Sequence, residues 1–260
     1  AGAIVSRVVN ARFRNVVSGL SDNNELREDG LGECNPSSPR VLIAKSDRGF
    51  LFCLNFSCYS IKVNPQTFVF IGRSGCGKGT QAQLLQQKLR EKTPETPIFY
   101  LETGERFRDY IKSDTYSSNI SKQIAEQGGI QPEFLAVWNW ASLFVEKMKG
   151  DEHLVLDGTP RKLNEAAVLD SAMKFYKREK PFVVFLDVSK EFSMARFKDR
   201  GRSDDKSLQA IEERMRWYEE DVVPAIRYFW QNEDYTLLHV NGEQTIEQVH
   251  ADIMSQIKIL

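Results

Sequence analysis

The sequence is sparing in cysteine, in net charge and in long apolar runs. It has four cysteines, Cys34, Cys53, Cys58 and Cys76, among 260 residues, too few and too scattered for a disulfide framework at this length. A reducing, cytoplasmic compartment is therefore expected. Cys53-x4-Cys58 has no second Cys/His pair downstream to complete a tetrahedral zinc site, so the two thiols read as small apolar residues in a strand. No run reaches the ~18–20 apolar residues of a membrane span. The nearest, Phe50 to Ile61, carries Asn55, Ser57 and Ser60. The 35 Lys and Arg against 36 Asp and Glu leave a net charge of −1, which excludes blanket binding to nucleic acid or to an anionic membrane, so any basic site must be local. The first residues, starting at Ala1, do not read as a clean signal peptide, because no apolar core precedes a cleavage site. What remains, 41% hydrophobic and 27% charged residues, is the composition of a globular chain able to bury one or two cores.

The sequence changes character near residue 65. Residues 21–48 are rich in Asp, Asn, Glu, Gly, Ser and Pro and read as a loop or linker. Residues 1–65 are accordingly expected to be an extension in which Val41–Ala44 and Phe50–Ile61 either form a hairpin or remain without order. From residue 66 to 260 short apolar runs alternate with amphipathic stretches, the pattern of a parallel sheet covered by helices. The expected strands are Thr67–Ile71, Pro97–Leu101, His153–Leu156, Phe182–Val188 and Thr236–Val240. Apolar stripes place helices at Leu84, Leu85 and Leu89, at Phe134, Val137, Trp138 and Phe144, and at Ile246, Val249, Ile253 and Ile257. The fold class is α/β, a doubly wound five-stranded parallel sheet, which binds ligands at the carboxyl ends of its strands.

The chemistry-bearing motifs follow those strands. Directly after the first comes Gly72-Arg-Ser-Gly75-Cys76-Gly77-Lys78-Gly79-Thr80, leading into an amphipathic stretch. Glycines let backbone N–H groups turn inward, a helix N-terminus adds partial positive charge, and Lys78 can neutralise β/γ-phosphates. This departs from G-x-x-x-x-G-K-[ST] in having Gly79 before Thr80.

That variant resembles the adenylate kinase family of nucleoside monophosphate kinases, and three further blocks agree in order. Thr103-Gly104-Glu105-Arg106-Phe107-Arg108 is similar to the family's T-G-D-x-x-R. The resemblance implies that Thr103 meets the acceptor base and Arg108 the acceptor phosphate. Gly128-Gly129-Ile130-Gln131-Pro132 resembles the turn closing over that base, within a monophosphate-binding segment at about residues 102–132. Asp157-Gly158-Thr159-Pro160-Arg161 is close to D-G-[FY]-P-R and implies Mg²⁺ held through water by Asp157, with Gly158 and Arg161 at the acceptor. Arg196, Arg200 and Arg202, with Asp204, Asp205 and the later Arg214, resemble a short lid at about residues 196–206, without the zinc site of some relatives. Gln244, after Val240-Asn241-Gly242, falls near the donor adenine.

The resemblance implies a P-loop fold and Mg²⁺-dependent phosphoryl transfer from ATP to AMP. Lys78, Arg161, Arg200, Arg202 and Arg214 would be catalytic. Gly75 to Thr80, Arg196, Arg200 and Gln244 would hold ATP. Four residues depart from the usual pattern: Ser74 stands for Pro, Glu105 for Asp, Thr159 for an aromatic residue and Glu165 for a base-reading Gln. A carboxylate only accepts, so Glu165 suits adenine N1 poorly and guanine better. Relaxed base preference, a kinase for GMP, CMP or UMP, and a non-catalytic nucleotide-sensing module therefore stay open. ATP and a nucleoside monophosphate are the expected partners of a monomer, with no nucleic acid or membrane.

Overall fold

A computed structural model describes residues 40–45, 51–56, 64–200 and 208–257, with side chains 198–200 and those of the first two segments outside the description. The chain falls into two units, Ala1–Lys62 and Val63–Leu260. In the first, β1 (Arg40–Lys45) and β2 (Leu51–Phe56) pair antiparallel, Ile43 opposite Cys53. Cys34 and Cys58 lie outside the described residues.

The second unit is built on a parallel sheet of β3 (Thr67–Gly72), β4 (Ile98–Glu102), β5 (His153–Asp157), β6 (Phe182–Asp187) and β7 (Thr236–Asn241), in the spatial order β4-β5-β3-β6-β7. The first strand in sequence is thus central. The chain crosses to one side of it for β4 and β5 and to the other for β6 and β7, so a crevice opens at the carboxyl end of β3. Continuous apolar runs suit strands buried on both faces. Phe68 and Phe70 of β3 face one core, where Leu85 and Leu89 of α1 (Lys78–Lys92) meet Val249 and Ile253 of α9 (Ile246–Gln256). Val69 and Ile71 face the other. That core is filled by Trp140 and Phe144 of α4 (Glu133–Lys147) and by Leu169 and Met173 of α5 (Leu163–Phe175). Between β4 and α4 lie α2 (Thr103–Tyr110) and α3 (Tyr116–Glu126), the latter opened by a Thr115/Ser118 capping box. After β6 come α6 (Lys190–Arg200), α7 (Leu208–Trp217), a π-helical turn (Tyr218–Val222) and α8 (Val223–Trp230).

Helix α4 departs from its expected stripe. Phe134 is 73% exposed and Trp138 43%, whereas Leu135, Asn139, Trp140 and Phe144 are buried. Trp138 instead covers α2, its ring 5.2 Å from Tyr110 and under the Arg106 guanidinium. The polar Asn139 inside the true stripe hides it from a reading by hydropathy.

One buried polar group ties β5 to its surroundings. His153 Nδ1 accepts from the Gln66 N–H at 3.0 Å, and its Nε2 lies 3.0 Å from Thr93 Oγ1, which itself donates to the Leu89 carbonyl. That pattern calls for the neutral ring with its proton on Nε2. Burial holds the His153 pKa below its ordinary value, the Gln66 hydrogen bond opposing and the Arg178 charge adding to the depression.

Candidate active site

The loop after β3 is shaped by its backbone. Gly77 caps α1 at φ 95°, a left-handed conformation that L side chains rarely adopt, and no side chain caps the helix, so its first N–H groups remain available to an anion. Lys78 folds over the loop, donating to the carbonyls of Gly72 at 3.0 Å and Arg73 at 2.9 Å and approaching Cys76 Sγ at 3.6 Å. Ser74 supplies its carbonyl to the Ser193 hydroxyl of α6, which fastens the loop from behind. Arg196, one turn further along α6, comes down on Gly75: a Cβ at that glycine would lie 3.8 Å from the Arg196 Cβ.

Across the crevice the walls are side chains. Gly104 lets two arginines meet, since a Cβ there would sit 3.2 Å from Arg108 Nη1 and 3.7 Å from Arg161 Nη2. Arg108 is steadied by Glu102 at 2.9 Å, and Arg161 by its own Nε donating to the Gly158 carbonyl at 2.8 Å. The Arg161 pKa is lowered, burial first, with Arg214 and Arg108 lowering it further while Glu165 and Asp157 oppose them. Arg108, Arg161 and Arg214 therefore crowd one locus, where an added anion relieves their repulsion. Asp157, at the end of β5, is buried beside the glycine loop, its Oδ2 3.2 Å from where a Gly79 Cβ would lie.

A cavity of about 1060 Å³ joins the two sides. Gly75, Gly77, Lys78, Gly79, Thr80 and Arg196 line it from the side of the glycine loop. Arg108, Gly129, Gln131, Gly158, Arg161 and Arg214 line it from the other, with Asp157 between. Thr103, Ile130 and Glu165 line a small adjoining pocket with Gly158 and Arg161. Cys76 packs into the core under the loop. Gln244 is set apart from the lining: its amide donates to the Asn241 carbonyl and to Asp252. The Arg200 side chain, Arg202, Asp204 and Asp205 lie outside the described residues.

Sequence reading missed Arg73, Glu102, Ser193 and Trp217. Arg73, Ser193 and Trp217 each act through a partner far along the chain, as Trp217 Nε1 does by donating to the Gly128 carbonyl at 3.0 Å, while Glu102 holds Arg108 six residues on. Among the described residues no group of three or more His, Cys, Asp or Glu could hold a metal on its own, and no helix is long and apolar enough to cross a membrane.

A glycine loop on a helix N-terminus facing an arginine cluster across one cleft defines a P-loop protein that brings two phosphate-bearing ligands together. The family described as adenylate kinase matches residues 70–234. Among similar proteins are adenylate kinase 1 of a Nostoc species, 30% identical over 73% of this chain and 97% of that one. Others are the adenylate kinases of Prochlorococcus marinus, 30% identical over 73% of this chain and 97% of that one, and of Flavobacterium psychrophilum, 29% identical over 70% and 92%. The chain belongs to the adenylate kinase family, and it is a phosphotransferase.

Proposed function

We propose that the chain catalyses reversible transfer of the γ-phosphoryl group of ATP to AMP, giving two ADP, with the residues named above in the roles that follow. The observation that carries this is the convergence of Arg108, Arg161 and Arg214 opposite the Lys78 loop within one cavity. The acceptor is already an anion, so no general base is needed. Burial, then the charges of Asp157, Glu102 and Glu105, keep the nearby Tyr100 phenol above its ordinary pKa and hence protonated at neutral pH. Catalysis is then alignment and charge stabilisation. Loop amides and Lys78 hold the donor phosphates, Arg108 and Arg161 fix the acceptor phosphate in line, and Arg214 adds positive charge where the phosphoryl group passes. Arg196 leans over the donor; Arg200 and Arg202 belong to the proposed lid, whose closure would exclude water.

The family's reaction uses ATP with Mg²⁺. The buried Asp157 carboxylate beside Gly79 and the Thr80 hydroxyl fit an ion that takes few protein ligands and keeps several waters. Bound there, Mg²⁺ would neutralise charge on the donor phosphates.

Base recognition reads differently once the hydrogen bonds are followed. Glu165 is 3% exposed and accepts from the Thr159 hydroxyl through Oε1 and from the Arg161 N–H at 2.7 Å through Oε2. Thr103 Oγ1 is within hydrogen-bond distance of the Asp157 and Gly158 carbonyls, and the Gln131 amide is paired with Ser121 at both ends. Polar groups already paired are not left unsatisfied by a wrong base, so discrimination of about 10- to 200-fold is expected rather than the 10⁴–10⁵ of a hydrogen-bonding reader. Comparing kcat/KM for AMP, GMP, CMP and UMP tests this: AMP should lead by less than about 10³, and a lead of 10⁴ would overturn it.

A further inference from the structure

Two long cations rise from the donor loop. Lys78 lines the cavity; Arg73 does not, and is 9% exposed. Arg73 Nε donates to the Val188 carbonyl at 3.3 Å and Nη2 to Glu219 Oε1 at 2.8 Å, while its guanidinium carbon lies 4.0 Å from the centre of the Tyr218 ring. Hydrogen bond, ion pair and ring face constrain the group in three directions at once, which a planar guanidinium satisfies and an ammonium does not. Tyr218 opens the π turn, immediately after Trp217 closes α7, and both rings are buried. A π turn is a frequent companion of functional sites.

Trp217 reaches the other half of the cavity. Its indole N–H holds the Gly128 carbonyl, and the Arg161 guanidinium lies 5.8 Å from its ring centre. At the opposite end of α7, Gly128 backs onto Ala210 so closely that a Cβ there would lie 2.4 Å from the Ala210 carbonyl oxygen. One helix therefore grips the acceptor turn at both ends and, through the next residue, the donor loop.

We propose that Arg73, Tyr218 and Trp217 form a relay that sets the donor loop against the acceptor turn, so that nucleotide bound in one half strengthens binding in the other, with Arg73 as a positioning residue. The proposal rests on the donor and acceptor assignment above. Calorimetric titration of AMP with and without a non-hydrolysable ATP analogue tests it. In the unaltered chain the analogue tightens AMP binding about 5-fold or more. Arg73→Ala and Trp217→Phe each bring that factor to about 1, and the double variant binds AMP in the analogue's presence no more weakly than the weaker single one. Arg73→Lys, which retains the charge, loses the coupling as well and keeps the test open should Arg73→Ala not fold. A merely structural Arg73 would lower the melting temperature and leave the coupling in place. Coupling retained in Arg73→Lys, additive losses, or no coupling in the unaltered chain would each overturn the relay. Failure of the analogue to bind the unaltered chain would instead overturn the donor assignment.

Discussion

The two halves of the cavity are made of different material. The proposed donor half is largely main chain: carbonyls gripped by Lys78, and a helix start without a side-chain cap at the left-handed Gly77. The acceptor half is side chain, with Arg108 and Arg161 meeting over Gly104 under the hold of Glu102 and a Glu165-braced loop. In the proposed assignment the loop's backbone does the binding, so the loop can carry Ser74 and Cys76 but cannot change conformation. In the proposed assignment the acceptor wall works instead through charge and the planarity of the guanidinium group.

Substitutions can break this contrast in order of size. Lys78→Met removes the cation that grips the donor loop, and kcat should fall about 10²–10³-fold with the melting temperature little changed. Arg161→Lys retains charge but not the fork, so kcat/KM for AMP should fall about 10²-fold while the KM for ATP stays put. Gly77→Ala should do the opposite, raising the KM for ATP up to about 10-fold through roughly 1–2 kcal/mol of left-handed strain, with the AMP side spared. Glu165→Gln replaces one acceptor of the Gly158–Arg161 loop by a donor. The KM for AMP should rise a few-fold with the ranking of bases unchanged, and a changed ranking would mean that residue 165 reads the base after all.

The smallest effect lies outside the cavity. His153 has a folded-state pKa below its unfolded value near 6.5, so its neutral form favours the native state. That contribution is whole above pH 6.5 and drains away as the pH falls through the lower native value. Unfolding midpoints followed from pH 7.5 to 5 should decline on that limb. The decline should flatten in His153→Gln, whose amide can replace both hydrogen bonds without titrating.

The strands of the sheet and the order of the phosphate-binding blocks were legible because parallel strands buried on both faces are continuous apolar runs, and each block starts where a run stops. The boundaries moved slightly: β3, β4, β5 and β7 extend one residue further, to Gly72, Glu102, Asp157 and Asn241, while β6 ends at Asp187, one residue before Val188. Pro97, which has no N–H to donate, stays outside β4 while its carbonyl accepts from His153. Less was legible where a residue acts through a partner that spacing does not name. Glu165 stands at a base-reading position in sequence, yet Thr159 and the Arg161 N–H take both its oxygens, and only the folded loop reveals that. Gln244, expected near the donor adenine, donates to Asp252, about two helix turns beyond the α9 cap, a pairing that spacing alone does not show. Arg73 occupies an unremarked loop position whose meaning depends on Tyr218 and Glu219, far along the chain.

Two nucleotides are expected to react across this cavity. Initial rates of ADP formation from ATP, with AMP present or absent, test this most directly. Two ADP should form for each AMP consumed, none without AMP, and almost none in Lys78→Met. Binding of both nucleotides by the unaltered chain without ADP formation, or ATP breakdown indifferent to AMP, would contradict it.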